Sequence, residues 1–279
     1  MTTETKNNDH YLCPDLISRI AAGLQMQGKS TDNLSIDDLA AVDEFHLRGP
    51  MATNDIIELL QPKADSHLID LGSGLGGPAR RFAAAIGCRV TGVDLSEDYC
   101  AAARELSRWL DLDGKTNFVH GDVTRLVGHD NAIYDGAFSI HVGMNIPDRS
   151  TFYQEACRVL KNEARFVLYD IVIKQENVTV KYPQPWALQA SDSHLVTETQ
   201  MVSALKKAGL SIETVRDDTS LAIEFLQTSI TKAQQLDKPS PLSLGTLLGP
   251  VFKEILPNLA ENLLTQNLRL VAVTAKKST

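Results

Sequence analysis

The chain has 279 residues, 43% of them hydrophobic and 22% charged, with a formal net charge of −8. That composition suits one large globular domain, or a core domain with added helical pieces, and the acidic balance argues against a nucleic-acid-binding surface. The polar opening MTTETKNNDHYL has no apolar signal core and no apolar run reaches the length of a membrane span, so the expected address is the cytoplasm.

Residues from about Pro14 to Leu60 carry apolar side chains at helical spacing in LISRIAAGLQM and ATNDIIELL. From Ser66 onward short apolar runs alternate with helical stretches: HLIDLG, PARRFAAAI, CRVTGVD, EDYCAAARELSRWL, NFVHGD, YDGAFSI, RSTFYQEACRVL, ARFVLYDIV, TQMVSALKKAGL and SIETVRDD. Strand alternating with helix predicts an α/β fold around a largely parallel sheet. Two stretches interrupt it. Lys174 to Val196 reads as a long loop, and Thr219 to Thr265 reads as two helices separated by DKPSPLSLG. Insertions of this length usually serve function as lids. The expected organisation is an N-terminal helical lid over 1–63 and a core domain over 64–279 with a cap insertion at about 219–265. The four cysteines, Cys13, Cys88, Cys100 and Cys157, form no CxxC pair, so they are read as free buried thiols, with no metal site.

The central feature is HLIDLGSGLGGPARRFA. An apolar strand ends at Asp70-Leu71, a glycine-rich turn follows, and Pro78 stands at the start of a helix, where proline is favoured. Glycine lets the backbone turn tightly and a ligand approach it, and the free N–H groups of the helix start can face a carboxylate or phosphate. Gly72, Gly74 and Gly77 fit the dinucleotide pattern G-x-G-x-x-G. Asp70, Gly72, Gly74 and Gly76 also fit the acidic-x-Gly-x-Gly-x-Gly turn of enzymes that bind S-adenosylmethionine (SAM). Asp70 favours SAM, whose ammonium and sulfonium it would attract, whereas it would repel a pyrophosphate. Asp94, about twenty residues beyond the turn, ends VTGVDLS where an acidic side chain can bind both ribose hydroxyls. Ser96 reads as the N-cap of the next helix, with Glu97 and Asp98 in its first turn. Asp122 in VHGDV is placed to accept from an adenine amino group, with the Val123 N–H as donor.

With these pieces in view, the span from about Glu44 to Val172 resembles the class I SAM-dependent methyltransferases, and more narrowly their sarcosine/dimethylglycine and tocopherol-type small-molecule branch. DEFHLRGPMAT, LGSGLGGPARRFA, GVDLS, HGDV and FSIHVGMNIPDRSTFYQEACRVLK carry the likeness. The resemblance implies a Rossmann-like seven-stranded sheet of order 3-2-1-4-5-7-6 with strand 7 antiparallel. It implies SAM as cofactor, held by Gly72, Ser73, Gly74, Asp94, Leu95, Asp122, Val123 and His141. One departure is Asn162-Glu163-Ala164, where relatives usually have a Gly-Gly turn before strand 5.

Methyl transfer from a sulfonium is an in-line displacement that needs alignment, exclusion of water and, for a protic acceptor, a base. His141 follows the fourth strand and is the candidate catalytic residue, either as base or as a cofactor contact. His46 lies in the segment that the resemblance places over SAM. Tyr11, Tyr182, Trp186 and His194 are, with His46, the candidate acceptor contacts; aromatic rings there could enclose an alkylammonium. The partner is thus a small-molecule methyl acceptor, first an amine nitrogen, with carbon or oxygen of a quinone, prenylated ring or other apolar molecule as the alternative. An NAD(P)-dependent oxidoreductase shares the glycine pattern, but the chain has no Tyr-x-x-x-Lys pair suited to hydride chemistry, and Arg80 and Arg81 form no recognisable phosphate clamp.

Overall fold

A computed structural model of the chain describes residues 15–235, 240–243, 245 and 252–279. Its centre is a seven-stranded sheet in the order β3-β2-β1-β4-β5-β7-β6. The strands are β1 (His67–Leu71), β2 (Arg89–Asp94), β3 (Thr116–His120), β4 (Tyr134–Ile140), β5 (Leu160–Ile173), β6 (Leu210–Asp217) and β7 (Leu268–Lys277). β7 runs antiparallel to both β5 and β6, and the neighbours from β3 to β5 are parallel. The expected strand order is therefore the observed one. β1, β4 and β7 are apolar on both faces because helices cover both sides, as a parallel sheet requires.

One face carries Leu68, Phe138, Val167 and Tyr169 against α3 (Pro50–Leu60), α4 (Gly77–Ile86), α5 (Glu97–Trp109), α8 (Thr219–Gln234) and α9 (Phe252–Leu264). The other carries Ile69, Leu71, Phe166 and Leu168 against α6 (Arg149–Val159) and α7 (Glu198–Lys207). Local chemistry sets the helix ends. Ser96 accepts from the Tyr99 N–H at the start of α5, Asp148 accepts from the Thr151 N–H before α6, and Thr197 with Gln200 closes a capping box on α7. α4 stops at Gly87, whose φ of 82° lets its N–H return to Ala83 O.

The bend at Asn162-Glu163-Ala164, which falls inside the first residues of β5, is made without glycine. Glu163 takes a φ of 64°, and the β4–β5 register slips between Tyr134 and Gly136. A non-glycine residue in that conformation costs about 1–2 kcal/mol, and Glu163 there pairs with Lys276 of β7 at 2.6 Å. Cys88, Cys100 and Cys157 are free and buried, as expected, while Cys13 lies outside the described residues. Among the described residues no helix is long and apolar enough to cross a membrane.

The N-terminal helices α1 (Leu16–Met26) and α2 (Ile36–Asp43) lead into α3; α1 packs against α5, and α2 lies on the amino end of α4. The contact is charged. Arg80 of α4 donates to Asp43 at 2.8 Å and Arg81 to Glu44 at 2.6 Å, with all four side chains buried. A Cβ on Gly77 would stand 2.2 Å from the Asp43 carbonyl oxygen, so the two backbones meet directly. Arg80 and Arg81 therefore do have a task, which is to fasten the N-terminal segment to the helix that leaves the glycine turn. Behind them, the loop from Lys174 to Val196 is held by α9: Asn262 bonds both the Lys181 N–H and its carbonyl at 3.0 Å, and Asn258 donates to Pro183 O at 3.2 Å. α8 and α9 are the two helices expected between Thr219 and Thr265; most of the connection between them lies outside the described residues.

Removing one partner of a buried pair strands the other charge, which costs about 3–5 kcal/mol. Asp43→Ala should therefore lower the urea midpoint by a shift of that size at constant m-value. Asp37→Ala, which removes the exposed partner of Arg81 (side chain 74% exposed), should change stability by about 0.5 kcal/mol or less.

Candidate functional site

The glycine turn closes over the end of β2, with the Gly72 and Ser73 N–H groups donating to Val93 O at 2.8 and 3.1 Å. Gly72, at φ 85°, has no room for a side chain: a Cβ would lie 2.3 Å from Val142 Cγ2. Gly74, at φ 51°, is different, since a Cβ there would meet nothing within 4 Å and would point into open space. The Gly74 N–H donates to Asp94 Oδ2 at 2.7 Å and the Ser96 N–H to Oδ1 at 2.9 Å, so Asp94 joins the ends of β1 and β2. The Gly121 N–H donates to Asp94 O at 2.9 Å and brings the end of β3 alongside. Asp122 is exposed and Val123 buried there, and Asp122 Oδ1 accepts from the Thr124 N–H and hydroxyl. Leu95 is 52% exposed above them. The seven residues expected around a cofactor on β1 to β3 thus come together at the carboxyl ends of these strands.

Two polar atoms in this group have no partner. Asp70 is 2% exposed and its Oδ2 is unbonded, and Ser73 Oγ is likewise buried and unbonded. Burial foremost, then the charges of Asp94 and Glu44, holds the Asp70 carboxyl well above the usual carboxylate range. Asp94 is also raised, chiefly by burial.

His141 stands immediately after β4 with φ 55°, its N–H bound to Tyr169 O at 2.8 Å. Its ring stacks on Tyr169 (centroids 5.7 Å apart, 10° between planes) and meets the edge of His46 at 6.1 Å. Because Val142 rests on Gly72, this ring cluster adjoins the glycine turn. His141 Nε2 and Tyr169 Oη are both buried without a hydrogen-bond partner. Burial, and to a lesser degree His46, holds the His141 imidazole well below its ordinary pKa of 6.5.

His46 comes from the N-terminal segment. Its Nε2 lies 3.0 Å from Gly49 O, and a carbonyl only accepts, so Nε2 carries the hydrogen and Nδ1 the lone pair. Burial lowers its pKa to about 4. The neighbouring Glu44 is committed to Arg81 and to the Thr53 hydroxyl, at 2.6 Å each. Arg48, at φ 70°, pairs with Asp55 at 2.9 Å and Asp218 at 3.3 Å. Its charge lies near the Tyr169 hydroxyl, though outside hydrogen-bond geometry.

Of the expected acceptor residues, Trp186 is 5% exposed and shares one apolar cluster with Ile140, Met144 and Tyr169, against which Tyr182 also packs. The Trp186 indole donates to Ser193 Oγ at 2.8 Å. His194 joins the site through its backbone, where its N–H donates to Met144 O at 2.8 Å and its carbonyl accepts from Arg149 at 3.2 Å; its imidazole makes no ring contact with the His46–His141–Tyr169 group. Tyr11 lies outside the described residues. Sequence reasoning missed Tyr169 and Arg48. Tyr169 sits inside the apolar strand run ARFVLYDIV, and Arg48 gains meaning only through Asp218, 170 positions away. Asp170, the next residue on β5, faces the opposite side; burial raises its pKa to about 6, opposed by Arg149 at 3.4 Å.

This fold, with this turn and these strand ends, is the SAM-dependent methyltransferase arrangement, and comparison with known proteins agrees. Residues 69–168 match the family described as "Methyltransferase domain". A 107-residue stretch is 36% identical to methyltransferase phqN of Penicillium fellutanum, covering 38% of this chain and 32% of that protein, so the match spans about a third of the relative's length. The 27-O-demethylrifamycin SV methyltransferase of Amycolatopsis mediterranei is 27% identical over 71% of each chain. Among solved structures, phosphoethanolamine N-methyltransferase 2 of Haemonchus contortus in complex with SAM superposes with a TM-score of 0.72 at 20% identity, covering 93% of this chain and 60% of that one. Residues 69–168 thus match a methyltransferase domain model, within a fold that solved SAM-dependent methyltransferases share.

The buried imidazoles have a consequence for stability. In the unfolded chain His46 protonates near 6.5, and in the folded protein only near 4. Between these values the unfolded state binds more protons, so stability present above pH 6.5 is lost as pH falls toward 4, by on the order of 3 kcal/mol. His141 acts in the same direction. The raised Asp70 and Asp170 carboxyls act in the opposite sense and are common to wild type and variant, so the test is a difference: from pH 7 to 4.5 the urea midpoint of the wild type should fall relative to that of His46→Gln. An NMR titration that places the His46 ring near 6.5 would contradict the neutral-imidazole description.

Proposed function

We propose that this chain transfers the methyl group of SAM to an oxygen, or to an acidic carbon, of a mainly apolar small molecule, with His141 receiving the acceptor proton. The observation that carries this assignment is the buried, unpartnered Nε2 of a neutral imidazole, stacked on a tyrosine whose hydroxyl is also unpartnered, one residue from the contact with Gly72.

The cofactor side fits a cation with a sugar. Asp70 has an unsatisfied oxygen and no partner for its charge, which suits the ammonium of SAM. Asp94 spends one lone pair of each oxygen on backbone N–H groups and keeps another for ribose hydroxyls. Asp122 and the Val123 N–H take the adenine, and the open space at Gly74 admits the methionine end. When bound, SAM supplies an electrophilic methyl group on a sulfonium. His141, with its hydrogen on Nδ1, uses the free Nε2 to accept the proton of the acceptor hydroxyl as the new bond to carbon forms. Tyr169 Oη can bond the same acceptor oxygen and fix its direction. The apolar wall of Ile140, Met144 and Trp186 excludes water.

The electrostatics favour oxygen or carbon over the amine nitrogen preferred from the sequence. An alkylammonium needs a carboxylate or an electron-rich cage, and the carboxylates beside the ring cluster are spent: Glu44 on Arg81, Asp218 on Arg48 and Arg216. The rifamycin relative, whose name denotes action at a 27-oxygen, supports the same choice.

Two experiments test this function. Gly74→Ala should fold, since the strain at its positive φ is about 1–2 kcal/mol, yet bind SAM and S-adenosylhomocysteine at least about tenfold more weakly because its methyl group enters the ligand space. Unchanged affinity by calorimetry would remove the cofactor assignment. Second, phenols, hydroxylated macrocycles, quinols and alkylamines are screened for S-adenosylhomocysteine release. With a hydroxyl acceptor, His141→Ala should lower turnover by about 10²–10⁴ while SAM affinity changes little, and His141→Gln should not restore it. Turnover confined to amines, or indifferent to both substitutions, would refute His141 as the base.

A further inference from the structure

The loop between Lys174 and Val196 holds a further buried, unpartnered polar atom that the chemistry above does not use. Gln184 has no exposed surface. Its N–H donates to Ala187 O at 2.8 Å, its carbonyl accepts from the Ala187 N–H at 3.2 Å, and its side-chain nitrogen donates to Lys181 O at 2.7 Å. Only Oε1 is left, buried and without a partner. The orientation of the amide is fixed chemically, since a carbonyl can receive a hydrogen bond only from the NH2 corner. The oxygen is therefore the corner turned away from Lys181.

The surroundings are rigid and apolar. Gln184 and Ala187 close a tight turn that carries Trp186, and Trp186, Ala187 and Tyr182 belong to the apolar cluster of Ile140, Met144 and Tyr169. α9 clamps the turn's upstream arm through Asn258 and Asn262, and the Trp186 and His194 contacts tie its downstream arm to the turn after His141. A buried acceptor without a donor is costly, so it calls for an explanation by a group outside the chain. Three unsatisfied side-chain atoms, His141 Nε2, Tyr169 Oη and Gln184 Oε1, thus belong to segments tied to one apolar cluster, through Tyr169 itself and through Trp186 and Ala187 beside Gln184.

We propose that Gln184 Oε1 is a second anchor for the methyl acceptor, accepting a hydrogen bond from a hydroxyl or N–H that the molecule carries away from its methylated oxygen. This rests on the hydroxyl-acceptor function proposed above and narrows it. The substrate class becomes an apolar molecule with at least two hydrogen-bond donors, one presented to His141 and one to Gln184. Gln184 is then a specificity-determining residue and takes no part in bond making.

The test uses the full chain loaded with S-adenosylhomocysteine for binding, and with SAM for turnover. The probes are matched pairs: 1-naphthol with the dihydroxynaphthalenes, and monohydroxy with dihydroxy steroids. The wild type should bind at least one diol tenfold or more tighter than its monohydroxy partner. Gln184→Leu should bring that ratio to within about twofold by weakening the diol alone, with SAM affinity unchanged. Gln184→Met, close to glutamine in shape but without the acceptor oxygen, should lose the preference likewise, which serves if the leucine variant does not fold. A preference that survives in Gln184→Leu, or is absent from the wild type, overturns the proposal, as does failure of every probe to bind. If monohydroxy probes are methylated in a His141-dependent way without any diol preference, the anchor fails and the hydroxyl-acceptor function stands. If only amines are methylated, both fall.

Discussion

Val142 resting on the bare α-carbon of Gly72 fixes where His141 stands relative to the glycine turn. The contact leaves no room for a side chain at Gly72, and it sets the residue before Val142 beside the carboxyl end of β1. His141 pays for that position with a left-handed backbone, φ 55°, fixed by its N–H bond to Tyr169 on the adjacent strand. Strain at one residue is tolerable when the neighbouring strand and turn both dictate its conformation. The imidazole then has only one way to lie, stacked on Tyr169, and its Nε2 is left without a protein partner.

The distribution of charge around that point follows from a division of labour among buried groups. Arg80, Arg81 and Arg48 each meet a carboxylate from a distant part of the chain, so the N-terminal segment, α4 and the start of α8 are joined by pairs that neutralise one another. Buried pairs of this kind specify geometry more than they stabilise. They also consume the carboxylates that would otherwise surround the histidines. Asp70 is the exception, a carboxyl with an unbonded oxygen next to two like charges. A ligand that brings positive charge to Asp70 while keeping His46 and His141 neutral meets both halves of the site on their own terms.

The parts of this architecture that were legible in the sequence are those governed by local rules. Alternating apolar runs and helices expose the sheet, Ser96 and Gly87 mark helix ends, and a turn with four glycines announces a close backbone approach. The strand order came from resemblance and not from any local rule. Tyr169 could not be singled out, because an aromatic residue in a strand reads as core until its hydroxyl is seen without a partner. Arg80 and Arg81 were read as lacking a phosphate-binding task, which left their true one invisible: their partners lie 37 positions upstream, in a segment whose placement no local pattern states. Glu163 is the instructive case. The missing glycine signalled an altered turn, yet the chain simply forces a glutamate into the glycine conformation and lets the register slip beside it.

What separates this chain from others with the same core is built from its least regular segments. In the function proposed above, the glycine turn, Asp94 and Asp122 hold the cofactor and would serve almost any acceptor. The acceptor side is closed by a loop that has no strand or long helix of its own, and such a loop can be specific only if something rigid holds it. α9 supplies that hold with two asparagines one turn apart, Asn258 and Asn262, whose side chains bind the loop's backbone as a strand partner would. Backbone held in this way can afford to bury an amide such as Gln184 with one atom unsatisfied, because the turn cannot rearrange to satisfy it. If Gln184 anchors the acceptor as proposed, selectivity depends on α9 as much as on the loop it supports, although α9 contributes none of the unsatisfied atoms.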